Sequence, residues 1–561
     1  MMDGLRWFCW NRGRGGAVYD RFPTEPEPFS LPSPIPQWPK GEGFGQGSIC
    51  IGELEIVGVT KFERVWRCYQ LSENTKGAVF CRPVDIKDGF FCLGHYAQPV
   101  DQPLRGFVLA AKEITASRGE KLPALQKPID YTLIWSSDDG KDDTYDGCGY
   151  FWLPCPPEGY KAMGYVVTRE PGKPSLEEIR CVRADLTDTC EAHGLIVETS
   201  FLNTPLRVWK TRPAHRGIWG RGVSVGTFFC GSSKDDMNIS CLNNLDSSLH
   251  AMPNLDQIHA VINHYGPTVF FHPEERYLPS SVSWFFKNGA TLYKKGKKTG
   301  EIIDSKGSNL PNGGGNDGDY WIDLPDDDRN NIVKCGDIES AELYVHVKPA
   351  IGGTFTDFAM WVFCPFNGPG TLKISLASFP FSKVGQHVGD WEHFTLRVCN
   401  YTGELWSIYF SQHSGGVWVD TYNLEFIKDN KAIVYSTKNG HASFPHAGCY
   451  LQGSEKLGIG IRNDAEISNF FVDSSIKYQI IAAEYLGDAV TEPSWLQYMR
   501  EWGPTIKYNS KCELDKILKF LPLNLRYSVE SIFDKLPIEL YGEEGPTGPK
   551  EKNNWVGDER W

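Results

Sequence analysis

Between residues 385 and 446 this chain gathers the side chains best suited to bind a cation or move a proton. The run Gly385-Gln-His-Val-Gly-Asp-Trp-Glu-His-Phe-Thr-Leu-Arg-Val398 alternates with period two from Asp390 onward. Asp390, Glu392, Phe394, Leu396 and Val398 share one face, and Trp391, His393, Thr395 and Arg397 share the other. The face with Phe394, Leu396 and Val398 is the buried one, so Asp390 and Glu392 point inward. His393, on the opposite face, reads as a surface or supporting residue. Two inward carboxylates need a partner: a hydrogen-bond network, a cationic side chain such as Arg397 or a lysine, or a bound cation. A returning strand, Leu405–His413, follows a turn near residues 401–402. That turn sets Asp390 opposite His413 and Glu392 opposite Ser411, within one or two residues. A third strand, Ile433–Ser436, runs into Asn439-Gly-His-Ala-Ser443 and brings His441 and Ser443 toward the same rim. His387, Asp390, Glu392, His413 and His441 can then converge. Oxygen ligands with an imidazole suit Mg²⁺, Ca²⁺ or Mn²⁺, and a larger share of histidine favours Zn²⁺. Hydrolytic signatures are missing: Ser411, Ser414 and Ser443 lie outside any G-x-S-x-G, and H-E-x-x-H is absent. Asp390 and Glu392 stand about 7 Å apart along one strand, a poor way to flank a sugar from two sides. No catalytic residue is assigned.

The elements that must position these residues are short strands. The 561 residues allow two to four domains, and 57 Gly, 36 Pro and 13% aromatics favour strands and turns over helical bundles. The 57 Lys and Arg against 70 Asp and Glu give a net charge of −13, which argues against general nucleic-acid binding. Sixteen cysteines lack zinc-type spacing. With no run of 18 apolar residues and no secretory leader, the reading is reduced thiols in a cytoplasmic protein.

Residues 1–48 are Pro- and Gly-rich and read as an extended leader. Residues 49–245 repeat themselves: Phe80-Cys-Arg-Pro83 precedes Gly89-Phe-Phe-Cys-Leu-Gly94, and Phe151-Trp-Leu-Pro154 precedes Gly159-Tyr-Lys-Ala-Met-Gly164. Strand-like segments ending in Trp66, Trp135 and Trp209 mark three units, the third with Gly222-Val-Ser-Val-Gly226. A copied supersecondary unit of this kind fits a three-faced β-prism or trefoil-like arrangement. Residues 246–540 open with an amphipathic helix over 252–266, with Leu255, Ile258, Val261 and Ile262 on one face. Strands of a β-sandwich follow near 267–490. Helical patterns are expected at Pro493–Trp502 and Leu514–Leu536, the latter broken at Pro522. Residues 541–561 read as a mobile polar tail anchored by two tryptophans. The fold expectation is therefore mainly β: a β-prism-like repeat module, then a β-sandwich with flanking helices.

Phe151–Val167 (FWLPCPPEGYKAMGYVV) resembles the β-prism repeats of multivesicular-body and vacuolar sorting proteins. The run Gly385–Val398, with Tyr409-Phe-Ser-Gln-His-Ser-Gly-Gly416 and Val434–Phe444, looks like the plant vacuolar protein sorting-associated protein 62 family, from Leu31 through Glu551. Gln386-His-Val-Gly-Asp-Trp-Glu392 is similar to the G-H-R-H-D-W-E heptapeptide of necrosis- and ethylene-inducing peptide-like toxins, β-sandwiches that hold a divalent cation and bind sphingolipid headgroups. That likeness implies a metal set of His387, Asp390, Glu392 and, from Trp361-Val-Phe-Cys-Pro-Phe-Asn367, Asn367. Gly389 replaces the motif's second histidine, and neutral Asn367 stands where the toxins carry an acid.

These readings predict a peripheral adaptor in vacuolar or endosomal sorting. It recognises a membrane headgroup or trafficking protein through a site that holds Mg²⁺ or Ca²⁺, with His413, Ser411, His441, Ser443, Trp391 and the exposed aromatic Trp418 as binding residues. Two alternatives stay open: a metal-assisted hydrolase on the His387/Asp390/Glu392 rim, and a pure protein-interaction scaffold.

Overall fold

The protein is described here by a computed structural model, covering residues 26–68, 77–114, 122–137, 147–199, 205–413, 415–506, 510–535 and 545–559. The first 25 residues of the expected leader, and residues 541–544 and 560–561 of the expected tail, lie outside the described residues. The chain is mainly β, built from many small antiparallel sheets.

Three six-strand units follow one another in the first part of the chain. The first comprises Leu54–Val59, Phe62–Cys68, Ala78–Pro83, Phe91–Cys92, Tyr96–Pro99 and Val108–Glu113. Its second, third and fifth strands form one antiparallel sheet, and its first, sixth and fourth form another. The units Leu125–Arg183 and Thr187–Asn243 repeat this wiring strand for strand. The third copy is thus complete despite its fainter sequence. Trp209 was expected to match Trp66 and Trp135, but it sits on its unit's third strand, Leu206–Pro213, whereas they sit on second strands. The misalignment came from reading spacing alone, because the true second strand, Cys190–Thr199, carries no tryptophan.

Aromatic residues from all three units fill a shared core. Phe151 meets Phe80 edge-on at 4.8 Å and Phe228 at 6.0 Å, and Trp66, Trp135 and Trp209 pack in the same cluster. The repeated glycines have a steric reason. A Cβ on Gly164 would lie 2.6 Å from the Thr227 methyl, and one on Gly94 would lie 2.9 Å from the Gly164 Cα, so the units touch backbone to backbone where these glycines recur.

In the later part, the helix Leu255–Tyr265 is set by a capping box between Asn254 and Gln257 and ends at Gly266. It buries Ile258, Val261 and Ile262 against a central six-stranded sheet. The spatial order of that sheet is Gly415–Asp420, Leu405–Gln412, His387–Cys399, Phe355–Asn367, Leu343–Ala350 and Tyr478–Ala482, with the last strand parallel to its neighbour. One face, with Phe358, Met360, Phe394 and Leu396, packs on a second sheet containing Thr268–Phe271 and Lys431–Ser436. The other face carries Tyr344, Trp361, Phe363 and Trp391 and packs under Phe285, Trp495, Trp502 and Trp555. Burial on both faces explains why every residue of Phe355–Asn367 is buried.

A third sheet, which includes Thr371–Ile374 and Ile459–Ala465, is backed by helices Ser510–Leu518 and Leu523–Phe533, with Pro522 at the break. The helix expected over Pro493–Trp502 reduces to a single 3₁₀ turn, Ser494–Gln497, because the aromatic side chains there are drawn individually into the core. The expected mobile tail is also corrected. Residues 545–559 pack against the central sheet, with Asn554, Trp555 and Glu559 buried.

Removing the ring at the junction of the three units should be costly. Phe151→Ala is expected to lose about 3–5 kcal/mol in urea denaturation; a loss below ~1 kcal/mol would contradict the shared aromatic core.

Candidate functional site

The strand His387–Cys399 runs beside Phe355–Asn367, with His387 across from Asn367, Asp390 from Cys364 and Glu392 from Val362. Alternation carries Asp390 and Glu392 onto the face of Phe394, Leu396 and Val398, while Trp391 enters the aromatic layer opposite. Gly389, directly before Asp390, has φ +70°, and a Cβ there would lie 2.2 Å from the Trp502 carbonyl oxygen. A histidine cannot occupy that position, because the 502 backbone already does.

Asp390 is buried, and its charge is met by imidazole. Its Oδ2 lies 2.8 Å from His441 Nδ1, and its Oδ1 lies 3.6 Å from His387 Nε2. On the far side, His441 Nε2 faces Glu275 Oε2 at 3.7 Å. Glu275 is itself held by backbone: Oε1 accepts from the amides of Arg276 and Tyr277 at 2.8 Å each, and Oε2 accepts from the Asn439 amide. The loop that delivers His441 turns through left-handed positions at Asn439 (φ 68°) and His441 (φ 52°).

The electrostatics follow from this cage. Burial disfavours a charged His441, yet its acidic surroundings hold it protonated well above the ordinary histidine range. The Cys364 thiol beside it is pushed up to about 11 by burial and is neutral near pH 7, so the carboxylates of Asp390 and Glu275 carry that effect. Burial alone would raise Asp390 and Glu275, but both are held below their usual values, Asp390 by its hydrogen bond to His441 and the charge there, Glu275 by the charge of His441 and the backbone amides of Tyr277 and Asn439. Burial lowers His387. Glu392 moves the other way: burial, then the negative charge of Asp390, raises it well above the carboxylate range. Among the described residues, the Glu392 carboxyl has no hydrogen bond or ion pair.

A cleft of about 1620 Å³ opens over this strand end. His387, Asp390, Glu392 and Asn367 border it, as do His413, Arg462, Lys438 and Lys552. Asn367 is tied down, its amide donating to the carbonyls of Gly385 at 2.6 Å and Gly368 at 3.1 Å. His413 reaches Asn463 Oδ1 at 3.2 Å. Among the described residues, one group brings three cation-ligating atoms within 4.8 Å of one another: Cys364, Asp390 and His441, all buried. Of that group Asp390 itself borders the cleft, beside His387 and Glu392.

Several expected binding residues lie elsewhere. His441 is under the floor of the cleft rather than on its rim. Ser411 pairs with Gly416 and Ser443 with Ser436, both buried in sheets and away from the cleft lining. The ladder pairs Phe394 with Phe410 and stops there, one residue out of the expected register, so Glu392 has no strand partner at Ser411. Trp391 borders the cleft, but its ring packs on Phe363, Trp495 and Trp502. Trp418 is no exposed aromatic: it is half-buried, with the Arg397 guanidinium 4.0 Å over its ring. Arg397 in turn pairs with Asp357 and Asp558, not with Asp390 or Glu392. His393, read as a surface or supporting residue, lies beneath the C-terminal segment and meets Glu559 at 3.0 Å.

Sequence reasoning missed Glu275, Cys364 and Lys552. The acid pair in His272-Pro-Glu-Glu275, directly after a strand, was a signal of sorts. Lys552 had none.

A chain of this build is a multi-sheet β protein with a three-unit prism-like region and a polar cleft at the end of a sandwich strand. It belongs to the family described as vacuolar protein sorting-associated protein 62, which matches residues 25–559. The Saccharomyces cerevisiae protein of that name is 23% identical over 350 residues, covering 52% of this chain and 73% of the yeast protein. Among solved structures, GNIP1Aa from Chromobacterium piscinae aligns with TM-score 0.28 and 15% identity, over 37% of this chain and 40% of its own. This chain thus spans less than half of GNIP1Aa. NLPPya in complex with mannosamine aligns at TM-score 0.20 and 13% identity, over 41% of this chain and 76% of its own.

The cage predicts a stability profile. The lowered Asp390 and Glu275 stabilise the fold above about pH 4.5 and lose that contribution as pH falls through their native values. The raised His441 contributes fully below about pH 6.5 and loses its contribution as pH rises through its native value. Replacing it strands two buried carboxylates. His441→Ala should cost about 3–5 kcal/mol at pH 6 in urea melts, with part of the loss returning below pH 4; a pH-independent loss would contradict the cage.

Proposed function

We propose that this protein serves vacuolar protein sorting as a peripheral recognition protein, and that its cleft takes a polar ligand through a divalent cation held by His387, Asp390 and Glu392. The family assignment supports the sorting role. One observation carries the cation reading: Glu392, a carboxyl with no polar partner among the described residues, borders the cleft beside a buried, ionised Asp390. Partial burial and the charge of Asp390 disfavour ionisation of Glu392, and such a pair of acids shares a proton or a cation. Carboxylate oxygens with one neutral imidazole suit Ca²⁺ or Mg²⁺. A cation arriving there displaces the Glu392 proton, so binding strengthens as pH rises.

A hydrolase with a cysteine or serine nucleophile has less support: Cys364 is 1% exposed with a thiol pushed up to about 11, and Ser411 and Ser443 lie away from the cleft lining.

Peripheral membrane contact is supported by a surface other than the one the sequence suggested. Two hairpin tips abut, with the Ser375 amide donating to the Gly458 carbonyl at 2.8 Å, and they carry Leu376 (100% exposed) and Leu457. Phe520 (85% exposed), Leu523 and Tyr527 stand on the neighbouring helical hairpin, and Tyr527 shares a groove with Leu457 and Lys535. Among the described residues, no helix is long and apolar enough to cross a membrane.

Two measurements test the proposal. Calorimetric titration with Ca²⁺ or Mg²⁺ should show one site that Glu392→Gln abolishes while the melting temperature stays near wild type; absence of any binding would sink the cation reading. Vesicle flotation should show association that EDTA weakens, and flotation indifferent to EDTA would separate membrane contact from the cleft.

A further inference from the structure

In the third prism-like unit, Cys190 opens the second strand and Cys241 the sixth, and both are buried. Their sulfurs lie 2.8 Å apart. That is inside the about 3.5–4.0 Å at which even unbonded carbon atoms rest, and within ~1 Å of a disulfide bond, at about 2.05 Å. The strand register shows why the other units have no counterpart. Cys241 pairs with Asp188, and Cys190 follows two residues later. The same register puts Val108 opposite Val59 in the first unit and Cys181 opposite Gln126 in the second. Two residues on stand Lys61 and Pro128, so neither earlier unit places two sulfurs there.

The pair sits at the joint between the prism-like units and the rest of the chain. Glu191, next to Cys190, accepts from Arg212 at 2.7 Å and from Arg216 at 2.8 Å. Arg216 also donates to Asp558 at 2.8 Å, and the Ile218 amide donates to the Val556 carbonyl at 3.0 Å. The C-terminal segment they hold is clasped in turn to the central sheet. Glu559 accepts from Thr395 Oγ1 at 2.6 Å, and Trp555 stacks on His346 with centroids 3.9 Å apart. Glu191, Arg212, Arg216 and Ile218 all lie between Cys190 and Cys241 in sequence, so a bond there closes the chain around them.

We propose that Cys190 and Cys241 form a disulfide under oxidising conditions, and that this bond locks the third unit's hold on the C-terminal clasp. It does not depend on the cation reading above. Both cysteines are free thiols in this structure, and a disulfide oxidant such as glutathione disulfide supplies the step. One cysteine, its proton released to water, attacks the oxidant's S–S bond and expels a glutathione thiolate. The other, likewise deprotonated, attacks the mixed disulfide and expels the second thiolate. Two cysteine thiols are oxidised, and one glutathione disulfide is reduced to two thiols. Burial keeps reagents from both sulfurs while the unit is closed, so exchange runs when the unit opens, and the bond, once made, resists reductant. Cross-linking positions 51 residues apart also narrows the unfolded ensemble.

Full-length protein is equilibrated in glutathione buffers from reduced to oxidised, quenched with N-ethylmaleimide in urea, digested and mapped by mass spectrometry. Oxidised samples should yield a 190–241 cross-linked peptide that reductant splits, while Cys230, buried in the same unit, stays alkylated. Oxidised protein should also melt at higher temperature than reduced protein, and hydrogen exchange over 216–220 and 553–559 should slow by about tenfold. Cys190→Ala and Cys241→Ala should each remove both differences, and the wild-type peptide map decides even where a variant fails to fold. Alkylation of Cys190 and Cys241 at every redox setting, or cross-links confined to the exposed Cys50, Cys335, Cys449 and Cys512, overturns the bond. A bond that leaves exchange in both segments unchanged overturns the lock.

Discussion

The site depends on one ionic arrangement: a protonated imidazole, His441, buried between Asp390 and Glu275. An apolar strand that ends in two acids would not pack its inner face without a counter-charge at that point, because desolvating a lone carboxylate costs several kcal/mol. The imidazolium meets this need for Asp390 and ties together three segments distant in sequence: the 272–277 loop, the end of His387–Cys399 and the 437–442 loop. Glu392 lies one alternation further along and receives no such partner. The cage thus absorbs one acid of the pair and leaves the other facing the cleft.

The second constraint is that the central sheet is covered on both faces. Its apolar side closes on the second sheet, and its mixed side closes under aromatic residues and the C-terminal segment. Covering a face that holds His346, Lys348, Asp357, His393 and Arg397 demands polar partners, and the segment supplies Asn554, Asp558 and Glu559. The same residues that satisfy the sheet therefore fix the wall of the cleft. Asp558 reaches Arg216 as well, so the clasp also fastens the prism-like units to the sandwich.

What could be read from the sequence was local. Period-two alternation gave the face on which Asp390 and Glu392 lie, the apolar face of Leu255, Ile258, Val261 and Ile262 gave the helix Leu255–Tyr265, and recurring glycines gave the repeated units. Errors came from interactions that join distant residues. His441 looked like a rim residue because nothing local announces that Glu275 waits behind it, 166 residues upstream in the chain. Trp418 looked exposed because its cover, Arg397, comes from another strand. His393 and the tail were misjudged together, since each is the other's partner. A slip of one residue in the hairpin register was enough to part Glu392 from Ser411.

The central claim is that Glu392 holds a proton which a divalent cation replaces. A pH-stat measurement of protons released on adding Ca²⁺ at pH 6 addresses it without reference to any ligand. The account predicts proton release on Ca²⁺ binding by the wild type and none by Glu392→Gln. Undiminished Ca²⁺ binding with no proton released would contradict it.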